Sequence, residues 1–325
     1  MPNKMKSISE ARIISVVGAG GFVGQHLVSY LLKKGNLLVH TLMRKPSLAK
    51  RTHCNLRPTI GDLFKDKELG DFLVPGCTVI NLAYDFSATK DENIQAAVNL
   101  GRLCRNASIK RLVHCSTVSV FGVNTDEVVT EDSICDPKSD YGLAKLEIES
   151  VLHKASLCSF EFVILRPTSV FGAGGQALEN IVDSFFSQNK ILNYVKSSLF
   201  FDRKLNLVGV MTVVEAIIFL TEQKSIVNNE IFIISDDDEE INNYKYVRSL
   251  LYREITGRTD NFPIMRLPAS ILTFLLKLRR RDVYNPRKVY DASKIKHAGF
   301  LPSTTLDKQL RSFAARHENK FLEKK

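Results

Sequence analysis

A phenol and an ammonium stand four residues apart in Tyr141-Gly142-Leu143-Ala144-Lys145, a spacing that puts Tyr141 and Lys145 on one face of a helix. A neighbouring cation favours the phenolate, lowers the tyrosine pKa and makes the side chain a usable general acid and base. Such a pair is common by chance. Cys115-Ser116-Thr117-Val118-Ser119-Val120-Phe121-Gly122 upstream sharpens it, because this hydroxyl-rich turn after a strand can set Thr117 beside the same substrate oxygen. A third constellation lies near the start of the chain, where Gly18-Ala19-Gly20-Gly21-Phe22-Val23-Gly24 follows a strand-like run and opens a helical one. Glycines at 18, 21 and 24 let the backbone turn sharply and let a pyrophosphate approach the main chain at the positive helix end. Gly18, Gly21, Phe22, Val23 and Gly24 are therefore candidate dinucleotide contacts.

The second strand ends at Met43-Arg44-Lys45-Pro46, where an acidic residue usually meets the ribose 2′-hydroxyl of NAD. Two cations there favour a 2′-phosphate, so the sequence predicts NADP(H) over NAD(H), with Arg44 as a contact. Asp62 and Leu63 close the next strand, and Leu82 and Ala83 the one after. All four sit where the carboxyl edge of a parallel sheet faces a cofactor.

Positioning these groups takes alternating elements. Arg12–Val17, Leu37–Met43, Thr78–Ala83, Arg111–Ser116 and Glu161–Leu165 are apolar runs without one-sided alternation, as in strands covered on both faces. Helical patterns at Phe22–Lys34, Glu92–Ala107 and Tyr141–Lys154 lie between them. The sequence thus predicts an α/β fold, a doubly wound parallel Rossmann-type sheet with a smaller C-terminal substrate lobe. Residues 1–172 read as the dinucleotide-binding domain and 173–325 mainly as the substrate lobe, with about 206–235 returning to the sheet. Asp236-Asp237-Asp238-Glu239-Glu240 reads as a solvated loop. Leu267–Leu278, followed by Arg279-Arg280-Arg281, reads as a buried helix, with an anionic membrane surface as the less common use of such a pattern.

The chain has 325 residues, 44% apolar and 25% charged, which excludes disorder and low complexity. Six cysteines without a C-x-x-C pair argue against a zinc site and a disulfide framework, and read as reduced, mostly buried thiols. The net charge of +10 suits an anionic partner, and no nucleic-acid motif accompanies it. With no apolar leader core and no apolar run of about 18 residues, neither an export signal nor an integral membrane segment is expected, and the predicted location is cytoplasmic.

Taken together, the motifs resemble the extended short-chain dehydrogenases/reductases, and within them the nucleotide-sugar epimerase/dehydratase group. The resemblance rests on the glycines at 18–24, Gly61-Asp62-Leu63, Ser116-Thr117 through Phe121-Gly122, Tyr141 to Lys145, Leu165-Arg166-Pro167, and Asp291-Ala292-Ser293-Lys294 before Gly299-Phe300. It implies Tyr141 as proton shuttle, Lys145 on the nicotinamide ribose, Thr117 on the substrate hydroxyl, and hydride transfer at C4 of a hexose carried on a nucleotide diphosphate. It also implies a homodimer through the Glu92–Ala107 and Tyr141–Lys154 helices. Dehydratases of the group carry an Asp-Glu pair after the threonine; Val118-Ser119 stands there, which leaves 4-epimerisation, keto reduction or alcohol oxidation. Phe121 replaces a usual tyrosine, a packing change. Leu205 stands where an arginine is common, so Arg203, beside Lys204, is its expected substitute. Arg166 and Arg281 complete the expected substrate contacts, the arginine fork suiting a phosphate. Two other readings stay open: a reductase or dehydrogenase of a lipophilic ketone or alcohol, and a non-catalytic cofactor-binding subunit.

Overall fold

A strand covered on both faces buries consecutive side chains, and in Arg12–Val17 (β1) Ile14, Val16 and Val17 are fully enclosed, as is Ser15, whose hydroxyl donates to the Phe72 carbonyl at 3.0 Å. The computed structural model describes residues 12–44, 53–65, 72–122, 126–186, 203–223, 228–260 and 287–322, together with 69, 194, 198, 200, 201 and 285. After β1 come α1 (Phe22–Lys34), β2 (Leu37–Met43), β3 (Leu56–Ile60), β4 (Thr78–Asn81), α2 (Lys90–Asn106) and β5 (Arg111–Cys115). The chain continues through β6 (Val128–Val129), α3 (Asp140–Ser156), β7 (Glu161–Pro167), β8 (Ser169–Phe171) and α4 (Glu179–Phe186). It ends with β9 (Leu207–Gly209), α5 (Val210–Glu222), β10 (Glu230–Ile234), α6 (Tyr244–Thr256), β11 (Val289–Tyr290), α7 (Ser293–His297) and α8 (Leu306–Leu322).

Seven strands form one parallel sheet in the order β10-β7-β5-β4-β1-β2-β3. The chain winds outward from β1 through β2 to β3, then returns to β4 and winds the other way. This reversal between β1 and β4 opens a crevice beyond their carboxyl ends. The expected doubly wound sheet is present, with helix and strand limits within two residues of the sequence reading in most elements.

The chain divides into two compact units. The first comprises Met1–Cys115, Glu147–Ile164 and Leu220–Glu230. In it α1 buries Gly24, Leu27, Val28 and Leu31, one stripe at helical spacing, and each larger side chain contributes about 1.5–3 kcal/mol. Helix α2 starts at a capping box in which Thr89 and Glu92 satisfy each other's backbone donors. Arg111, only 4% exposed, donates to Glu161 at 2.6 Å and to the Leu220 and Gln223 carbonyls at 2.7 Å each.

The second unit comprises Ser116–Leu146, Leu165–Phe219 and Ile231–Lys325. One of its cores joins Phe171, Leu207, Val247, Leu251, Leu310 and Phe313; another joins Val118, Val120, Phe121, Val129 and Ile233. Two-stranded pairs β8–β9 and β6–β11 border them. The acidic stretch corrects the sequence reading. Asp237 is buried, accepting from the Asn206 side chain at 2.6 Å, the Asn242 side chain at 3.0 Å and the Tyr290 N–H at 2.9 Å. Asp236 accepts from the Gly209 N–H. Burial, with Asp238 and Glu239 nearby, pushes Asp236 up to about 6. The cysteines differ as well: all six are free thiols, but only Cys77 and Cys104 are buried, and Cys54 and Cys158 are exposed. The segment Leu267–Leu278 lies outside the described residues.

Candidate active site

A cleft of about 620 Å³ opens at the carboxyl ends of β1, β2 and β4 in the first unit. Gly18 forms its floor at a φ of +79°, and a Cβ there would stand 2.8 Å from the Leu82 carbonyl carbon. Only glycine fits that turn. Its carbonyl accepts the Gly21 N–H at 3.0 Å, which swings the chain into α1. Gly21 caps the helix without a side-chain bond, and no acidic residue stands in the first turn, so the backbone donors face an anion unopposed. A closely approached backbone, a bare helix start and a cleft of this volume fit a dinucleotide.

Of the cofactor residues expected from sequence, Gly18, Gly21, Arg44, Asp62, Leu63, Leu82 and Ala83 line this cleft. Phe22, Val23 and Gly24 build the first turn of α1 and are not among its walls. Asp62 is folded back, its carboxylate accepting the Phe64 N–H at 3.1 Å. Asn81 fixes the opposite wall: its carbonyl oxygen accepts the Ala83 N–H at 3.0 Å while its amide meets His114 Nδ1 at 3.1 Å.

The sequence reading missed Asp85. It lines the cleft two residues beyond Ala83 and forms an ion pair with Arg44. Its other oxygen accepts from the Ser87 N–H at 2.9 Å and the Ser87 hydroxyl at 2.6 Å. Those bonds, with Arg44, hold the carboxyl down at about 2. Its backbone is pinned by Asn93, through the Asp85 N–H and carbonyl at 2.9 Å each. Lys45 lies outside the described residues.

Thr117, Tyr141 and Lys145 belong to the second unit. Thr117 caps the short 3-10 turn Val118–Phe121, accepting the Ser119 N–H at 3.2 Å and bonding the Ser119 hydroxyl at 3.1 Å. Tyr141 is half-buried in the first turn of α3, and Lys145 is buried one turn later. Ser139 holds the start of α3, its hydroxyl accepting the Gly142 N–H at 3.1 Å. A Cβ on Gly142 would stand 2.7 Å from the Ser119 carbonyl. The helix that carries Tyr141 and Lys145 thus lies directly against the turn that carries Thr117.

Phe121 is buried with the Arg166 guanidinium 4.9 Å from its ring centre. Arg166 is itself enclosed beneath that ring, and Arg203 stacks on Phe200 at 5.1 Å. Arg281 lies outside the described residues. Among the described residues no cluster of His, Cys, Asp and Glu gathers to hold a metal, and no helix is long and apolar enough to cross a membrane.

A doubly wound parallel sheet, a glycine turn at its switch point and a tyrosine–lysine helix packed on a hydroxyl turn define a nicotinamide-dependent enzyme class. Residues 14–235 match the NAD dependent epimerase/dehydratase family, and the chain belongs to that family, the extended short-chain dehydrogenase/reductase group. It is an NAD-dependent enzyme of that type. UDP-glucose 4-epimerase of Vibrio cholerae is 27% identical over 278 residues, covering 81% of this chain and 80% of that protein. A 4-hydroxy-2-methyl-3-oxo-4-farnesyl-3,4-dihydroquinoline-1-oxide ketoreductase of Stigmatella aurantiaca is 27% identical over 181 residues, 52% of this chain and 54% of that one. In fold, the chain is similar to UDP-N-acetylglucosamine 4-epimerase from Methanobrevibacter ruminantium M1, solved with UDP-N-acetylmuramic acid. That likeness has a TM-score of 0.72 at 18% identity, over 97% of this chain and 99% of that one.

Proposed function

We propose that the protein acts on a nucleotide-diphosphate sugar as a 4-epimerase or 4-keto reductase, with Thr117, Tyr141 and Lys145 as its catalytic residues. The observation that carries this reading is the packing of the Tyr141 helix on the Thr117 turn, set by the close approach of Gly142 to Ser119. The similarity to a UDP-glucose 4-epimerase over four-fifths of both chains supports it. The nicotinamide dinucleotide, when bound in the glycine-floored cleft, supplies the hydride acceptor and donor. Tyr141 takes the proton from the C4 hydroxyl and returns it. Lys145, on the same helix face, keeps a positive charge beside that phenol, and Thr117 orients the reacting oxygen.

The test is incubation with UDP- and GDP-hexoses, comparing wild type with Tyr141→Phe. Wild type forms C4 epimers, or consumes reduced cofactor with a 4-keto sugar. Tyr141→Phe loses about 10²–10⁴-fold in turnover while dinucleotide binding stays within about twofold, since the ring still packs. Near-wild-type turnover by the phenylalanine variant would overturn the mechanism. A second reading, reduction of a lipophilic ketone, draws support from the similarity to the quinoline-oxide ketoreductase and from Leu205 in place of an arginine. Turnover of such a ketone, with no response to any nucleotide sugar, would replace the first reading by this one.

A further inference from the structure

The corner of the cleft at the end of β2 decides whether a dinucleotide with a free 2′-hydroxyl or one with a 2′-phosphate is preferred. By residue type this chain offers the wrong sign for the hydroxyl: β2 runs into Arg44, with no acid among Met43-Arg44-Lys45-Pro46. The structure shows what the linear motif hides. Asp85 arrives from the loop after β4, lines the same cleft, and takes the Arg44 guanidinium in an ion pair. We propose that Asp85 is the specificity-determining residue of this corner, a carboxylate that occupies Arg44 and so makes the cleft take NAD(H) in preference to NADP(H).

Three features make Asp85 a built element rather than a passing surface contact. Its side chain is 13% exposed against 54% for Arg44, so the carboxylate is the fixed partner and the guanidinium the one drawn to it. Ser87 ties down the second carboxylate oxygen with two bonds, and Asn93 pins the backbone on both sides. Arg44 also lies over the Phe64 ring, whose centre is 5.9 Å from the guanidinium carbon. A 2′-phosphate entering here meets an arginine already neutralised and a carboxylate of its own sign, whereas a hydroxyl meets an acceptor. This inference rests on the cofactor cleft and not on the identity of the sugar substrate.

The experiment is fluorescence titration of the full chain with NADH and NADPH, backed by calorimetry with 2′,5′-ADP, for wild type, Asp85→Asn, Arg44→Ala and the double variant. Asparagine keeps an acceptor for Ser87, and retained NADH affinity reports that the loop still folds. Wild type binds NADH more tightly. Asp85→Asn gains at least about tenfold for NADPH and 2′,5′-ADP with NADH within about threefold, and adding Arg44→Ala removes the gain. The single variant Arg44→Ala tests the same point without altering the loop: it changes wild-type NADPH affinity by less than about threefold, because the cation is already taken. A loss of about tenfold or more in Arg44→Ala, or an unchanged NADPH-to-NADH ratio in Asp85→Asn, overturns the proposal. Failure of wild type to bind either dinucleotide overturns the cleft assignment and this proposal with it, whereas inactivity on nucleotide sugars alone leaves both standing.

Discussion

Asp236→Asn should stabilise the protein at neutral pH and leave it unchanged in mild acid. Burial is the main reason that the Asp236 carboxyl is raised from 3.8 to about 6, with Asp238 and Glu239 adding repulsion and only the Gly209 N–H and Lys296 opposing. In the unfolded chain the group ionises near its ordinary value, so between pH 4 and 6 the folded state holds the extra proton. Stability therefore falls as pH rises through that window, and above it the full penalty for a buried charge is present. A rise from 3.8 to about 6 corresponds to about 3 kcal/mol, and partial access to water reduces the expected gain to about 1–3 kcal/mol. Asparagine keeps an oxygen for the Gly209 N–H, 3.3 Å away, so the strand that it caps is preserved. Urea unfolding of both proteins at pH 4, 5, 6 and 7.5 makes the comparison, with the difference growing across the series. Equal or lower stability of the variant at pH 7.5 would refute the assignment of a half-buried, costly carboxylate.

Two further substitutions probe the cleft and the frame behind it. Gly18→Ala forces a side chain onto the Leu82 backbone at a φ of +79°; NADH affinity should drop by at least about tenfold, read by fluorescence titration, and the melting temperature should fall. Arg111→Ala strands the Leu220 and Gln223 carbonyls and leaves Glu161 alone, so urea unfolding should show a loss of about 3 kcal/mol with NADH affinity per folded molecule unchanged.

What sequence could reveal here was what is local. The strand, glycine turn and helix from Arg12 to Lys34 follow one another directly, and the Thr117 turn and Tyr141 helix carry their spacing within a few residues. Asp85 has no such mark. Nothing between Ala83 and Thr89 announces an ion pair until the sheet places β2 and β4 on either side of β1, with Arg44 and Asp85 across the crevice. Five consecutive acids likewise look solvated, and two of the donors that let Asp237 be buried, Asn206 and the Tyr290 N–H, come from far away in sequence, with Asn242 joining them from the following turn. The thiols failed for a related reason: cysteine composition favours burial on average, whereas Cys54 and Cys158 fall in turns at the ends of elements.

The hydroxyl turn also bears on which reaction the site can run. Elimination of water from a hexose needs a base at C5 and an acid at the C6 hydroxyl, in addition to the group that works at C4. Tyr141 is committed to C4 in the proposed mechanism. Position 118 holds a valine packed with Val120, Phe121, Val129 and Ile233, and position 119 holds a serine whose hydroxyl bonds to Thr117. Neither carries a proton that titrates near neutral pH. Two acids of this unit, the half-buried Asp236 and the buried Asp237, are already engaged, Asp236 by the Gly209 N–H and Asp237 by Asn206, Asn242 and Tyr290. UDP- and GDP-hexoses should therefore give C4 epimers or 4-keto reduction without a 4-keto-6-deoxy product, which mass spectrometry detects as the loss of one water. Replacing Val118 and Ser119 by Asp and Glu should not install elimination, because an aspartate at 118 would sit among four apolar side chains and unseat the turn that presents Thr117. Formation of the 4-keto-6-deoxy product by the wild-type enzyme would show that an acid and a base reach the sugar from elsewhere, and the epimerase or reductase assignment would have to give way.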